Sequence, residues 1–270
     1  MAIKIEAGST DTDKPLLLHR SVFDDGTVTV SDETSDGPGL NCMEDSTFDF
    51  WDTSAATSTI QVDVGWAGVW CDCVGIEAHT LGTDGATVEV QYSSDAVSWT
   101  TILTSTPTDN TCIIGVFPIT KKRYWRVRVT DGPSLIGVLK LGRRVIIPTG
   151  VLSGHVAINN SSRIEGLSNK SITGQFLGDR IIRTGAETTI DFGLLYTNFV
   201  DDYLTDFKTD YNDLRTFFYA GAPSVYPLDL GYCKRPSGGS ELRPSYDEGG
   251  LMMGISFDVD VFTDSTSGRL

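Results

Sequence analysis

The amino-acid sequence predicts a mainly β protein with one helix. Apolar and polar residues alternate through residues 86–101 and 123–130, and a period of two is typical of half-buried strands. Further short apolar stretches recur about every ten residues and end at Gly, Asp or Ser, which favours a β-sandwich. One later segment instead repeats aromatic residues at helical spacing.

The strongest strand signal is a predicted hairpin in the first half of the chain. Apolar residues occupy every second position from Val88 to Tyr92, a Ser-Ser-Asp turn follows, and the chain then reaches Trp99. Residues 124–129 repeat the alternation, with Trp125 in the apolar phase. The pattern therefore predicts that Trp99 and Trp125 are core residues of the first domain.

The first half contains a series of motifs in a recognisable order. They are an early aromatic pair, a Val-Asp-Val-Gly strand, a Val-Gly-Ile strand, the hairpin ending at Trp99, and an Arg-Tyr-Trp-Arg-Val strand, at residues 50–51, 62–65, 74–76, 90–99 and 123–127. This order resembles the discoidin-like (coagulation-factor C-type) galactose-binding jelly roll over about residues 40–147. The resemblance implies a β-sandwich but no single function, because this scaffold carries glycan readers, lipid readers and structural modules.

The second half of the chain predicts shorter strands around one helix. Strands are expected within residues 149–192, 217–233 and 251–261, and a loop rich in Gly, Ser and Pro spans 236–250. The helix is predicted over residues 198–214, with Asn198 as its N-cap. Its aromatic stripe is expected to face the core rather than a ligand, and consists of Phe199, Tyr203, Phe207, Tyr211 and Leu214.

Two motifs in the second half resemble tail proteins of long-tailed phages. They are G-x-x-L-G-x-R-x-x-R-x-G at residues 174–185 and F-F-x-A-x-x-P-x-x-Y-P-x-D-x-x-Y-C at residues 217–233. Over about residues 148–262 the chain is similar to minor tail proteins and, more loosely, to distal tail proteins. The resemblance implies a structural virion protein of the tail tip or baseplate that connects the tail tube to the tip. It would assemble in the host cytoplasm as a hexameric or trimeric ring with other tail proteins.

The expected domain organisation combines the two resemblances. A discoidin-like jelly-roll β-sandwich is followed by a second β-sandwich or split-barrel domain that carries one α-helix. The expected ranges are an N-terminal arm with the first strands at 1–39, the sandwich at 40–148, the tail-ring-like domain at 149–263 with its helix at 198–214, and a flexible C-terminus at 264–270. The alternative function, from a different class, is a carbohydrate-binding adhesin module that recognises host surface glycans.

The charge distribution restricts the possible partners. A net charge of -15 argues against nucleic acid or an anionic membrane surface as the main partner. No apolar run approaches a transmembrane span, and the first residues lack the pattern of a secretory signal. Basic residues concentrate in 121–144, where they form either a solvated sheet face or a contact to an acidic neighbour. The candidate subunit contacts are Lys121, Lys122, Arg143, Arg144, Arg235 and Arg243.

Two further sets of residues are candidate binding sites. Trp66 and Trp70 flank a glycine bend and are candidates for contact with a glycan or a partner protein, with burial in the sandwich as the alternative. Asp45 and Asp49 lie in an acidic loop whose oxygen ligands suit calcium, although an acidic loop that caps a turn is the simpler interpretation. Otherwise no cofactor is expected.

The sequence does not predict catalysis. His19, His79 and His155 lie in separate segments without metal-ligand spacing, and no Gly-x-Ser-x-Gly nucleophile elbow occurs. The five cysteines are expected to be reduced, and Cys71 and Cys73 are predicted to share one strand face with poor geometry for a disulfide. We therefore expect a protein that is not an enzyme.

Overall fold

The computed structural model describes residues 3–246 and 249–263, so the predicted flexible C-terminus lies outside the described residues. Strands account for 50% and helices for 12%, which confirms the mainly β fold class. In chain order the strands are β1 Ile3–Ile5, β2 Leu16–Leu18, β3 Thr27–Ser31, β4 Trp51–Asp52, β5 Thr57–Asp63, β6 Val69–His79, β7 Thr87–Ser93, β8 Thr100–Ser105, β9 Ile113–Lys122, β10 Tyr124–Thr130, β11 Leu135–Gly142, β12 Val145–Ile146, β13 Ser162–Lys170, β14 Phe176–Tyr196, β15 Phe217–Ala222, β16 Tyr226–Lys234, β17 Ser245–Tyr246 and β18 Met252–Val261.

The first half of the chain forms a β-sandwich of two five-stranded sheets. The first sheet has the order β1-β9-β6-β11-β4 and the second has the order β3-β5-β10-β7-β8. Strand β10 shows why they pack: its residues alternate between buried and half-buried, so Trp125, Val127 and Val129 enter the core while Arg126 and Arg128 face outward. The prediction that Trp125 is a core residue is confirmed, since its side chain is fully buried.

The same prediction for Trp99 is wrong. Trp99 is only half-buried and precedes β8, which begins at Thr100. A register shift between β7 and β8 lies between Val90 and Gln91. The guanidinium carbon of Arg126 lies 4.0 Å from the Trp99 ring centroid, on the outward face of β10. The period-two pattern does not continue through the turn. The Trp99 side chain therefore lies on the outer face of the sheet instead of in the core.

The second half forms one large sheet covered by a helical segment. The sheet has the order β12-β2-β15-β16-β18-β14-β13, with β17 paired to β18. Aromatic rings fill the space between this sheet and the helix: Phe207 contacts Phe217 edge-on at 5.0 Å, and Phe257 lies 5.5 Å from Phe207 and 5.3 Å from Tyr211. These rings form a second hydrophobic core that is separate from the sandwich core.

The helix predicted at residues 198–214 is interrupted and shorter than expected. It consists of Thr197–Phe199, a π-helical turn at Val200–Leu204, and Thr205–Asn212. Only part of the predicted stripe faces the core, because Phe207 and Tyr211 are buried whereas Phe199 is half-buried and Tyr203 is exposed. The π turn shifts the helical phase between the two pairs. The other helical segments are Leu81–Asp84 and the 3-10 turns Val22–Asp25, Gly39–Met43 and Ile158–Asn160.

Leu214 lies beyond the helix and is exposed. Asn198 accepts a hydrogen bond from the backbone amide of the next residue, Phe199, rather than from the second or third helical amide as an N-cap would. Among the residues that the structure describes, no helix has the length and apolar character needed to cross a membrane.

The two halves pack against each other through a third core. Apolar residues of the sandwich's first sheet contact β2, β15 and β16, so strands β6 and β11 are buried on both faces. Gly75 permits this approach, since a Cβ atom there would overlap the Phe218 ring. The resulting order of layers is outer sandwich sheet, inner sandwich sheet, large sheet and helix.

The N-terminal segment links the two halves further. Strand β1 pairs in parallel with β9 of the sandwich, whereas β2 pairs with β15 and β12 of the large sheet. Residues 3–18 therefore supply one strand to each half of the protein.

A β-bulge separates the two cysteines of β6. The register between β6 and β9 shifts between Cys71 and Cys73. Cys71 consequently lies in the sandwich core and Cys73 in the core between the halves, so the prediction that they share one face is wrong. All five cysteines are free thiols.

Candidate functional site

The most exposed regular structure is a long β-hairpin. Strand β13 pairs with the first part of β14, while β18 pairs with β14 only from Ala186 onward. We call residues 162–182 the hairpin arm. Seven large apolar side chains of the arm are each more than half exposed, namely Ile164, Leu167, Ile172, Phe176, Leu177, Ile181 and Ile182.

The backbone of the arm is paired by hydrogen bonds between its own two strands. The Ser171 amide donates to the Gln175 carbonyl at 2.9 Å across the tip, where Gly174 has φ +85°. Register shifts after Glu165 and Asn169 mark two bulges, which increase the twist of the pair. An isolated two-stranded hairpin is only marginally stable in water, and exposed apolar surface of this kind marks contact sites. The arm is thus suited to burial against another surface.

The arm was not predicted as a contact site from the sequence. Its apolar residues produce the same pattern as a strand that faces a core, and only the three-dimensional structure shows that no core lies beneath them. The motif at residues 174–185, which resembles tail proteins, overlaps the arm and was the one available signal.

Trp66 lies in the tight turn between β5 and β6. The Gly68 amide donates to the Gly65 carbonyl at 3.1 Å, and both glycines have positive φ. The Trp66 side chain is 92% exposed, with the guanidinium carbon of Arg123 4.5 Å from its ring centroid. Trp66 is therefore not buried in the sandwich but presents a large ring to solvent.

Arg123 is held in place beneath this ring by a bidentate ion pair. Its Nε and Nη2 atoms donate to the two carboxylate oxygens of Asp63 at 2.8 and 2.6 Å. The hydrogen bond from Arg123 is the main reason that the pKa of Asp63 falls to about 2. Nearby, Trp70 is 47% exposed and the Lys121 ammonium lies 5.9 Å from its ring.

The six candidate subunit contacts differ in exposure and in the residues that they contact. Lys121 and Arg143 are exposed, and Lys122 is half-buried with its ammonium 4.9 Å from the Tyr92 ring. Arg243 is exposed and pairs with Glu241 at 2.8 Å, while Arg235 is half-buried.

Arg144 cannot act as predicted. Its side chain is 2% exposed, its Nε lies 3.2 Å from Asp72 Oδ2, and its Nη2 donates to the Thr10 carbonyl at 2.6 Å. The expectation that Arg144 contacts another subunit is therefore wrong, since the residue ties β6 to the N-terminal segment within one chain.

The two proposed calcium ligands, Asp45 and Asp49, are not arranged as a metal site. Asp45 Oδ1 accepts a hydrogen bond from the Lys140 ammonium at 2.8 Å, so a cation there would have to displace a lysine. Asp49 is exposed, and no group of three or more His, Cys, Asp or Glu side chains positioned for a metal occurs within residues 3–246 and 249–263. The structure does not support a calcium site at Asp45 and Asp49.

Two of the histidines form separate pairs with carboxylates. His19 Nδ1 lies 2.6 Å from Asp210, and burial lowers the pKa of His19. His155 Nε2 lies 3.0 Å from Asp229, and this hydrogen bond raises the pKa of His155. Both pairs join different segments of the chain, a structural role that accounts for them. The absence of enzymatic activity stays a prediction.

The loop at 236–250 contacts the rest of the second half at Leu242 and through strand β17, which pairs with β18. Leu242 is buried in the second core, and its amide donates to Asn212 Oδ1 at 2.8 Å. The loop is therefore attached to the end of the helix through Leu242.

Known proteins are similar to this chain in structure over less than half of its length. No protein-family profile and no curated protein matches it. Chitosan-binding module 1 of a chitosanase/glucanase from Paenibacillus sp. IK-5 is 19% identical, with a TM-score of 0.37 over 43% of this chain and 94% of that module. A module from Clostridium perfringens, solved with GalNAc-β-1,3-galactose, is 13% identical, with a TM-score of 0.39 over 44% of this chain and 96% of that module. At TM-scores this low the similarities carry no functional argument, and the β-sandwich assignment rests on the chain's own two sheets.

Proposed function

We propose that the protein is a structural subunit that assembles with further copies of itself through the hairpin arm. The observation that carries this proposal is the exposure of seven large apolar side chains on a two-stranded hairpin. Burying such side chains contributes about 25 cal/mol for each Å² of apolar surface removed from water. A neighbouring chain supplies that burial when the arm lies against it.

The location in a phage tail tip or baseplate is part of this proposal. It rests on the two motifs at residues 174–185 and 217–233, of which the first overlaps the arm. Repetition of one arm contact around a closed ring would give each copy the same environment. Cryo-electron microscopy of the source particle tests this location through the position and symmetry of the subunit.

The assembly proposal predicts a specific effect of polar substitutions in the arm. The variant I164S/L167S/F176S/I182S should remain monomeric under conditions in which the parent forms oligomers, as measured by sedimentation velocity. Its melting temperature should be nearly unchanged, because surface substitutions usually alter stability by no more than about 0.5 kcal/mol each.

A matched control replaces four exposed apolar residues outside the arm. The variant F48S/V97S/V225S/L251S changes the same kind of surface and should oligomerise like the parent. A parent that stays monomeric, or an arm variant that oligomerises normally, contradicts self-assembly through the arm.

Glycan binding is the second candidate function, and the exposed Trp66 ring favours it. A flat ring fixed by Arg123 offers a rigid stacking surface at low entropic cost. If Trp66 is the contact, W66A should lose binding on an array of printed oligosaccharides, whereas W99A, which alters another surface tryptophan stacked on an arginine, should retain it. Equal binding by both variants would exclude Trp66 as the contact.

A further inference from the structure

A cleft lies where the sandwich meets the helix of the second half. Its volume is about 550 Å³, which is within the usual range of small-ligand sites. One wall comes from the start of β6 and the end of β11, the other from the helical segment around the π turn, and the N-terminal segment around Arg20 lies between them. The cleft thus exists only because the two halves pack together.

Both walls of the cleft carry partly exposed aromatic rings. Trp70 lines the sandwich side and is 47% exposed, and Tyr203 lines the helical side and is 53% exposed. Tyr203 stacks on Phe199 with a centroid distance of 5.3 Å, so its position is fixed. The π turn at Val200–Leu204 sets this phase, and such turns are frequent at functional sites.

Ion pairs formed by two arginines make the walls rigid. Arg20 donates to Asp206 at 2.8 Å and to Asp210 at 3.0 Å, which fastens the helix to the N-terminal segment. On the other side, the buried pair of Arg144 and Asp72 fixes the base of β6. Rigid walls keep the aromatic rings in place before a ligand arrives, which lowers the entropic cost of binding.

Three further charges line the cleft and have both signs. Among the described residues, the side chains of Arg143, Asp25 and Asp202 form no hydrogen bond or close ion pair. The cleft therefore offers exposed hydrogen-bond donors and acceptors without an excess of positive charge. An anionic ligand such as a phosphate would require a clear excess of cations.

We propose that this cleft binds a neutral carbohydrate chain. Sugar rings present apolar C–H faces that stack on aromatic side chains, and hydroxyl groups that both donate to carboxylates and accept from guanidinium groups. Trp70 and Tyr203 supply the stacking, Asp25 and Asp202 accept from the hydroxyl groups, and Arg143 donates to them. The site is distinct from the hairpin arm and does not include Trp66, although it shares its ligand class with the second candidate function.

The test uses the full chain and an array of neutral, sialylated and sulfated oligosaccharides, followed by calorimetric titration with the neutral oligosaccharide that binds best. We expect Y203A and W70A each to weaken binding by about tenfold or more, as loss of a central aromatic contact does. Y203F should bind within about threefold of the parent, because it keeps the ring.

Two matched controls separate this site from its alternatives. Y196A removes an exposed tyrosine outside the cleft, and W99A removes a half-buried tryptophan outside it. Neither should change the dissociation constant. The proposal is overturned if Y203A binds like the parent, if W66A alone abolishes binding, if only anionic glycans bind, or if no oligosaccharide binds. The second of these outcomes would leave glycan binding intact but place it at Trp66.

Discussion

Replacing Trp125 with alanine should lower the free energy of unfolding by about 3–5 kcal/mol. Trp125 is fully buried between the two sandwich sheets, where its ring lies 5.8 Å from Tyr92 and 6.1 Å from Phe117. The loss combines the transfer free energy of the indole with a cavity that the rigid sheets on both sides cannot close. Equilibrium denaturation in urea, monitored by circular dichroism, measures the change.

The chain contains a matched control for this experiment. Trp99 is only half-buried and contacts Arg126, so W99A should cost no more than about 1 kcal/mol, the value of an exposed cation–π contact. Both variants remove the same side chain from the same half of the protein. Equal destabilisation by W99A and W125A would refute the assignment of Trp99 to the outer face of the sheet and of Trp125 to the sandwich core.

Replacing Asp72 with alanine should destabilise the protein by about 3–5 kcal/mol, because it leaves the buried guanidinium of Arg144 without its counter-ion. Asp72 Oδ1 accepts from the Arg144 backbone amide at 2.8 Å and Oδ2 lies 3.2 Å from Arg144 Nε, so two interactions are lost together. Thermal and urea denaturation should both show the loss.

Two further variants test the reason for this effect. Burial raises the pKa of Asp72 even though Arg144 lies beside it, which indicates that desolvation outweighs the attraction of the arginine. The double variant D72L/R144M should therefore recover most of the stability. D206A, which removes an exposed partner of Arg20, should cost no more than about 1 kcal/mol. A double variant as unstable as D72A would contradict this account.

The sequence predicted the sandwich better than the second half. Strand β10 has one buried face and one open face, so its alternation could be read directly. Strands β6 and β11 are buried on both faces, and such strands show no alternation that identifies their partners. The packing of the large sheet on the sandwich therefore had no signal in the pattern of residues.

The candidate sites were predicted less completely than the fold. Trp66 was identified because it flanks a glycine bend, where a large rigid ring can contact a ligand or partner, and the structure exposes it. Arg144 was misjudged because adjacent arginines look alike in sequence, whereas in the link between β11 and β12 Arg143 is exposed and Arg144 is buried. The cleft was missed since Trp70 and Tyr203 are far apart along the chain and come to line one cleft only through the packing of the two halves.

The placement of β2 has a consequence for the order in which the protein forms during synthesis. Leu18 pairs with Phe218, so β2 acquires this neighbour only after the next 200 residues have been synthesised. At about 5–20 residues per second, Leu16–Leu18 stays without β15 for roughly 10 to 40 s. The sandwich can pair most of its strands during this interval, whereas the large sheet cannot. The leucines of β2 are thus exposed to chaperones or to neighbouring nascent chains until β15 has been synthesised.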